Sequence, residues 1–432
     1  MQLRSGTPQA KGIVVASPEF TSRCCCASCG ATGLKEILNF GNMPLAGCFP
    51  RQEELASVAQ YPFAILFCPQ CSLVQTGGMI DPAILFKDYR YLSSIGLTNH
   101  FIELASLLVA RFGLNAHSKI VEIGSNDGVF LLPMQDLGCA PIGFEPSDNV
   151  SKLAQQKGCS IINDYFSSET AARHFDKGTV DLFVAANCFA HINEINDVVA
   201  GIRYLLKKGG HAVIEIHDVK SLVLGKQYDF AYQEHTYYYS LTALCHLFRR
   251  HGMTIVDFDE IPVHSGSLRI YVSNQNLSLP KKIQSRLDEE AVGVACLECF
   301  SEFARDVTEH RRELRGMLEE IRATGARVIG YGASGRANVL CNFCEITPEL
   351  VEYIVDESPE RAGRYIPKVN IPVRDKAFFD NDKNRDFVLI FAWNFSRMIM
   401  NKLAGTESKF IIPFPSPHVV EVAAEVDRLC TL

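Results

Sequence analysis

From residue 119 onward, short apolar runs alternate with longer amphipathic stretches, the pattern of strands buried in a parallel sheet between covering helices. KIVEIG predicts a strand that runs into the tight loop Gly124-Ser125-Asn126-Asp127-Gly128. VFLLPMQDLG then predicts a helix, and PIGFEPS a second strand reaching Glu145. VDLFVAAN and GGHAVIEI predict further strands, ending at Asn187 and Glu215. Residues 281 to about 323 carry many charges at helical spacing and predict one or two long helices. Beyond them the strand-loop-helix theme repeats. Val328 to Gly330 predicts a strand, Gly332-Ala333-Ser334-Gly335 a loop, and a helix begins near Arg336. VEYIVDESPE, with Asp356 at the end of its strand, and DFVLIFAWN, with Trp393 and Asn394, continue it. The fold class is α/β, with two such units in tandem.

At 432 residues the chain is long enough for several domains. The pattern divides it into a leader at 1–22, a cysteine-bearing domain at 23–85, a cofactor half at 86–280, and a helical linker with a second α/β domain at 281–432. The formal charge of −7 offers no basic surface, which argues against a nucleic-acid partner. No apolar run approaches the roughly 20 residues of a membrane span. The expectation is a cytoplasmic protein without a membrane partner, as a monomer or homodimer.

Sixteen cysteines in a large chain without an export signal point to reduced thiols and metal binding, not to a disulfide framework. Cys26 and Cys29 form one C-x-x-C, and Cys68 and Cys71 another, each beside turn-forming residues. Two such knuckles supply four thiolates to one zinc. Such a site leaves no open position, so the zinc is expected to be structural. Cys296/Cys299 and Cys341/Cys344 lie in helical segments and are expected to pack in the core.

Glu122, Gly124, Ser125, Asn126, Asp127 and Gly128 spell E-x-G-x-x-x-G after a strand. This suits an adenosyl ligand without phosphates better than a dinucleotide. Glu145, 21 residues after Gly124, is placed to accept hydrogen bonds from ribose hydroxyls, with Pro146 and Ser147 beside it. Asn187, Ala190 and His191 fall at a strand's C-terminal end, where open α/β sheets bind ligands. YDFAYQEHTYYYS then gathers Tyr232, Glu234 and His235, a set able to abstract a proton and to donate to a developing enolate oxygen. Tyr89 and Tyr91 are further aromatic candidates. HSGSLRIY, with His264, Ser267 and Arg269, reads as a phosphate site or as a plain β-turn. The loop Tyr331 to Ser334, with Arg336 after it, sits where a helix N-terminus holds an anion.

In order along the chain, CASCG, GNMPLAGCF, CPQCSLVQ, YRYLSS, VEIGSNDG, GFEPS, NCFAHINE, YQEHTYYYS, HSGSLRIY, GYGASGRAN, FAWN and FIIPFPSP resemble the sugar C-methyltransferase family. The resemblance spans about residues 24 to 420. It implies an N-terminal zinc domain, a central class I methyltransferase domain and a C-terminal Rossmann-like domain. It also implies C-methylation, at C3, of a nucleotide-linked 4-keto-6-deoxy sugar of dTDP or GDP type, with S-adenosylmethionine as cofactor. Proton removal beside the ketone would fall to Tyr232, Glu234 and His235, with His191 and one of Tyr89 or Tyr91 assisting. His264, Ser267, Arg269, Tyr331, Gly332, Ala333, Ser334, Arg336, Asp356 and Asn394 would hold the sugar nucleotide. Where similar proteins often have lysine in the C-terminal glycine loop, this chain has Arg336. On the residues alone two other readings stay open: an NAD-dependent oxidoreductase using the loop at Gly330 to Gly335, and a non-catalytic zinc-containing binding protein.

Overall fold

Strands Lys119–Ile123, Ala140–Phe144, Ser160–Ile162, Val180–Ala186 and Leu206–His217 run parallel in a seven-stranded sheet. The protein is described by a computed structural model at residues 19–86 and 92–421. Across the sheet the order is Thr254–Ile261, Ser267–Ser273, Leu206–His217, Val180–Ala186, Lys119–Ile123, Ala140–Phe144, Ser160–Ile162. Ser267–Ser273 is antiparallel to both its neighbours. The chain winds outward from Lys119–Ile123, then returns to its other side with Val180–Ala186. That reversal opens a crevice at the C-terminal ends of these two strands, where Gly124 and Asn187 stand. Both faces of the sheet are covered, which is why the strands read as apolar runs and not as alternating ones. The helix Ser94–Phe112 packs on one face. Ile195–Leu205, Leu241–Arg250 and the cysteine knuckles pack on the other. This is the central class I methyltransferase domain expected from the sequence.

The N-terminal region forms an antiparallel sheet of Lys35–Pro44, Gln60–Phe67 and Val74–Thr76. Along Gln60–Phe67 the inward positions are Tyr61, Phe63, Ile65 and Phe67, at the period of two that a one-sided sheet requires. Its fourth strand, Tyr237–Tyr238, comes from the central region and begins two residues after His235. The leader was expected to extend to residue 22, but Phe20–Ser22 is a strand paired with Gly78–Ile80. Phe20 is buried against Tyr61 and Ile80, so apolar burial draws in the end of a segment whose composition looks like leader. Residues 1–18 lie outside the described residues.

The charged stretch folds as two helices, Lys281–Ala291 and Leu297–Ala323. The long one buries Phe300, Phe303, Val307, His310, Leu314 and Leu318, one stripe at steps of three and four. That stripe belongs to a single apolar core shared with the N-terminal sheet and the C-terminal domain. The C-terminal sheet runs Tyr365–Ile366, Ile371–Arg374, Ile354–Val355, Val328–Tyr331, Phe387–Ile390, Lys409–Ile412, His418–Val420. Its five inner strands are parallel and its two edge strands antiparallel. It is the Rossmann-like domain expected, with Gly332 to Ser334 at its own topological switch. Cys341 and Cys344 are fully buried in the shared core, as expected for packing thiols. No helix among the described residues is long and apolar enough to cross a membrane.

Candidate functional site

Each cysteine knuckle closes the same way. Gly30 N–H donates to the Cys26 carbonyl at 2.8 Å, and Ser72 N–H to that of Cys68 at 2.9 Å. Both turns need a left-handed residue after the second cysteine, Gly30 at φ +76° and Ser72 at φ +58°. Folding brings the two together, with Cys26 Sγ 3.5 Å from Cys71 Sγ and Cys29 Sγ 3.6 Å from Cys68 Sγ. All four sulfurs lie within 4.8 Å of one another. A tetrahedral zinc with Zn–S bonds of about 2.3 Å sets its sulfurs about 3.8 Å apart, so the donor set fits the ion. Four protein ligands leave no position for substrate, which makes the zinc structural. Asn196 of the central domain donates to the Ala27 and Ser28 carbonyls at 2.7 and 3.0 Å and so anchors the first knuckle.

In the cofactor crevice, Gly124 adopts φ +63°, and a Cβ there would stand 2.6 Å from the Cβ of Cys188. Only glycine lets the loop lie this close to the neighbouring strand end. Glu145 receives the Asn126 amide on Oε2 and the Ser147 amide on Oε1, each at 2.9 Å. It thereby ties the glycine loop to the second strand and keeps further lone pairs for a ribose. Lys157 pairs with Asp127 at 2.9 Å. Among the described residues, Glu122 Oε2, Asp127 Oδ1 and Asn187 Nδ2 are buried without partners. Burial first, then the nearby Glu145 and Asp127 carboxylates, push the Glu122 carboxyl well above its usual range. A crevice where carboxyl groups crowd one another suits S-adenosylmethionine, whose cationic sulfonium and ammonium groups relieve that crowding. Glu122, the Gly124–Gly128 loop, Glu145 and Asn187 are the groups that would hold it. Pro146 and Ser147 follow Glu145 at the rim, and the Ala190 carbonyl is taken by the Thr236 amide at 2.8 Å.

The expected acid/base residues converge beside this crevice. His235 is 6% exposed, and its ring centre lies 4.0 Å from that of Tyr232 and 4.9 Å from that of His191. Its Nδ1 lies 2.8 Å from the Phe230 carbonyl. A carbonyl only accepts, so Nδ1 carries the proton and Nε2 is the ring's acceptor. His191 is fixed alike by the Glu234 carbonyl at 2.8 Å. Burial, then the neighbouring histidines, hold His235 well below the usual imidazole range, so it stands neutral. Glu234 takes the Gly47 amide at 3.2 Å on Oε1, while Oε2 is buried without a partner among the described residues. Tyr89 and Tyr91 lie outside the described residues.

Sequence reasoning missed His217, His100 and Asp229. The His217 ring stacks on Phe230 at 4.1 Å. His100 pairs with Glu215 at 2.7 Å. Neither belongs to a recognisable local motif: His217 ends the strand Leu206–His217 and His100 lies on the helix Ser94–Phe112. The strand-end rule applied to His217 would have found one of them.

The residues expected to hold the sugar nucleotide divide into two sets. His264 (φ +54°) faces Phe230 at 6.0 Å. Ser267 and Arg269 turn inward instead: Ser267 Oγ donates to the Val263 carbonyl at 2.9 Å, and Arg269 Nε pairs with Glu215 at 2.5 Å. Both belong to the buried strand Ser267–Ser273, where register sets Arg269 opposite Glu215. The phosphate reading of that segment gives way to a turn and a strand. Arg336 grips Asp229. Gly332, Ala333 and Ser334 form the turn before the helix Gly335–Phe343, which Ser334 caps. Tyr331 donates to Glu357, and Asp356 accepts from the Ser358 amide at 2.8 Å. Asn394 lies in the short turn Trp393–Phe395 after the strand Phe387–Ile390.

Residues 26–86 match a family model described as a zinc binding domain. Residues 98–257 match a methyltransferase domain and 262–415 a C-methyltransferase C-terminal domain. The C-methyltransferase NovU of Streptomyces niveus is 28% identical over 408 residues, covering 91% of this chain and 96% of its own. Among solved structures, the magnesium protoporphyrin IX methyltransferase of Synechocystis PCC 6803 with bound S-adenosylmethionine is 13% identical. It aligns with 41% of this chain and 80% of its own, at a TM-score of 0.33. A complex of the Haloferax volcanii Trm112 methyltransferase activator with a methyltransferase is 15% identical over 42% of this chain and 92% of that one, at a TM-score of 0.36. These two likenesses are weak and partial. The three domain models follow one another in order, and the relative aligns over all three. The chain is thus similar, over most of its length, to C-methyltransferases, with a zinc binding domain, a methyltransferase domain and a C-methyltransferase C-terminal domain in that order.

Proposed function

We propose that this C-methyltransferase acts on a nucleotide-linked 4-keto-6-deoxy sugar of dTDP or GDP type, at C3, through an enolate. The observation that carries the reading is the fixed tautomer of His235. With Nδ1–H held by the Phe230 carbonyl at 2.8 Å, Nε2 is a desolvated, neutral acceptor beside Tyr232. Such a group removes the proton from a carbon next to a ketone: the C3–H pair moves into the C3–C4 bond, and the carbonyl π pair moves onto oxygen. Tyr232, 4.0 Å from His235 by ring centre, is the group to donate a hydrogen bond to that oxygen. S-adenosylmethionine supplies the electrophilic methyl group. Methylation of a hydroxyl would have less need of the enolate stabilisers gathered here.

Mass spectrometry of reactions with S-adenosylmethionine and a panel of dTDP-, GDP- and UDP-linked keto sugars tests this. One methyl gained by a dTDP or GDP keto sugar supports it. Methylation only of molecules lacking a ketone would overturn it.

A further inference from the structure

We propose that Arg336 and Asn338, on the helix Gly335–Phe343, are positioning residues that hold the two ends of the proton-abstracting segment 229–235. The proposal rests on the reading of His235 as the base.

At one end, Asp229 is fully buried and takes three donors. Arg336 Nε and Nη2 approach its two oxygens at 2.8 and 3.0 Å, and Trp393 Nε1 approaches at 2.9 Å. A two-pronged guanidinium–carboxylate pair fixes orientation as well as distance. The guanidinium is further set by Trp393, with the ring centre 4.5 Å away. The next residue, Phe230, supplies the carbonyl that holds His235 Nδ1, and its ring lies 4.5 Å from the His235 ring. A shift of Asp229 therefore re-aims His235 Nε2.

At the other end, Asn338 Nδ2 lies 3.1, 3.2 and 3.3 Å from the carbonyls of Leu45, Ala46 and Cys48. Between them, Gly47 N–H holds the Glu234 carboxylate. Gly335 abuts the same loop: a Cβ there would stand 3.3 Å from the Ala46 Cβ.

One helix thus grips both flanks of His235, and it begins at the Gly332–Ser334 loop. Burial first, then the Arg336 charge, hold His217 to about 3 and His264 to about 4, which keeps the surrounding imidazoles neutral.

The test follows two readouts in the full-length zinc protein, for Arg336→Met, Arg336→Lys and Asp229→Asn. The first is exchange of the proton beside the ketone of dTDP-4-keto-6-deoxyglucose in D2O with S-adenosylhomocysteine bound. The second is the ring-nitrogen NMR spectrum of 15N-histidine protein, with His235 assigned from His235→Gln. All three variants are expected to lower kcat for exchange tenfold or more, with KM within threefold and zinc content and S-adenosylhomocysteine affinity unchanged. Lysine does not rescue, because an ammonium cannot span both carboxylate oxygens. His235 loses its single Nδ1–H form in favour of a mixture of tautomers. An Arg336→Met enzyme with unchanged kcat and a KM raised tenfold would make Arg336 a phosphate ligand and overturn the proposal, as would unaltered His235 nitrogen signals. If the wild type exchanges no proton, the base reading falls for that substrate, while the nitrogen spectra still decide the positioning role.

Discussion

The His235 ring and the Phe230 carbonyl are joined by one hydrogen bond of 2.8 Å, and its direction decides the chemistry. Because the carbonyl can only accept, His235 presents Nε2 as a lone pair and not as a donor. A general base of this kind contributes about 10²–10⁴-fold. His235→Gln is therefore expected to lower turnover by at least about 100-fold while S-adenosylmethionine affinity, measured by calorimetry, stays within about twofold. Turnover within tenfold of wild type would remove His235 from the role.

The glycine loop admits a sharper steric prediction. Gly124→Ala combines φ +63° with a Cβ 2.6 Å from that of Cys188, a backbone that L-residues rarely adopt and a contact that real atoms do not make. Cofactor affinity should fall tenfold or more, with zinc content unchanged. Wild-type affinity in this variant would show that the loop does not touch the cofactor.

Cys68→Ser should reduce zinc from one ion per chain to near none by elemental analysis. A structural zinc carries several kcal/mol of folding free energy, and in a large domain each kcal/mol moves the transition by about 2–4 °C. A fall of about 10 °C or more in Tm is expected. Unchanged metal content would show that the ligands lie elsewhere.

Stability should weaken in acid for a specific reason. Burial, aided by the Arg336 charge, lowers His217 to about 3 and His264 to about 4, against about 6.5 in the unfolded chain. Between pH 6.5 and about 4 the unfolded state binds protons that the folded state refuses. The contribution of each group is thus complete above pH 6.5 and declines as pH falls through that window, by at most about 1.4 kcal/mol per pH unit per group. Urea midpoints measured from pH 7.5 to 4.5 should fall below pH 6.5, and less so in His217→Phe. A flat profile would contradict the neutral, buried state of these rings.

What the sequence made legible follows from locality. The glycine loop, Glu145 and the knuckle spacing are written within a few residues, and each stands where it was expected. The sugar-nucleotide set was less legible because its roles depend on register between distant strands. Arg269 reads as a phosphate ligand until Ser267–Ser273 inserts beside Leu206–His217 and sets it opposite Glu215. Arg336 reads as an anion ligand until Asp229, buried and far away in sequence, claims it. Nor could any local pattern reveal that the strand following His235 completes the zinc domain's sheet.

The central claim is that His235 makes a carbanion equivalent beside a ketone before any methyl is transferred. Incubation of dTDP-4-keto-6-deoxyglucose with the wild-type enzyme and S-adenosylhomocysteine in D2O, followed by proton NMR, tests it most directly. The account predicts that the C3 proton signal disappears at an enzyme-dependent rate while the other ring protons persist, and that His235→Gln abolishes the loss. Retention of the C3 proton by wild-type enzyme that transfers a methyl to the same sugar would contradict it.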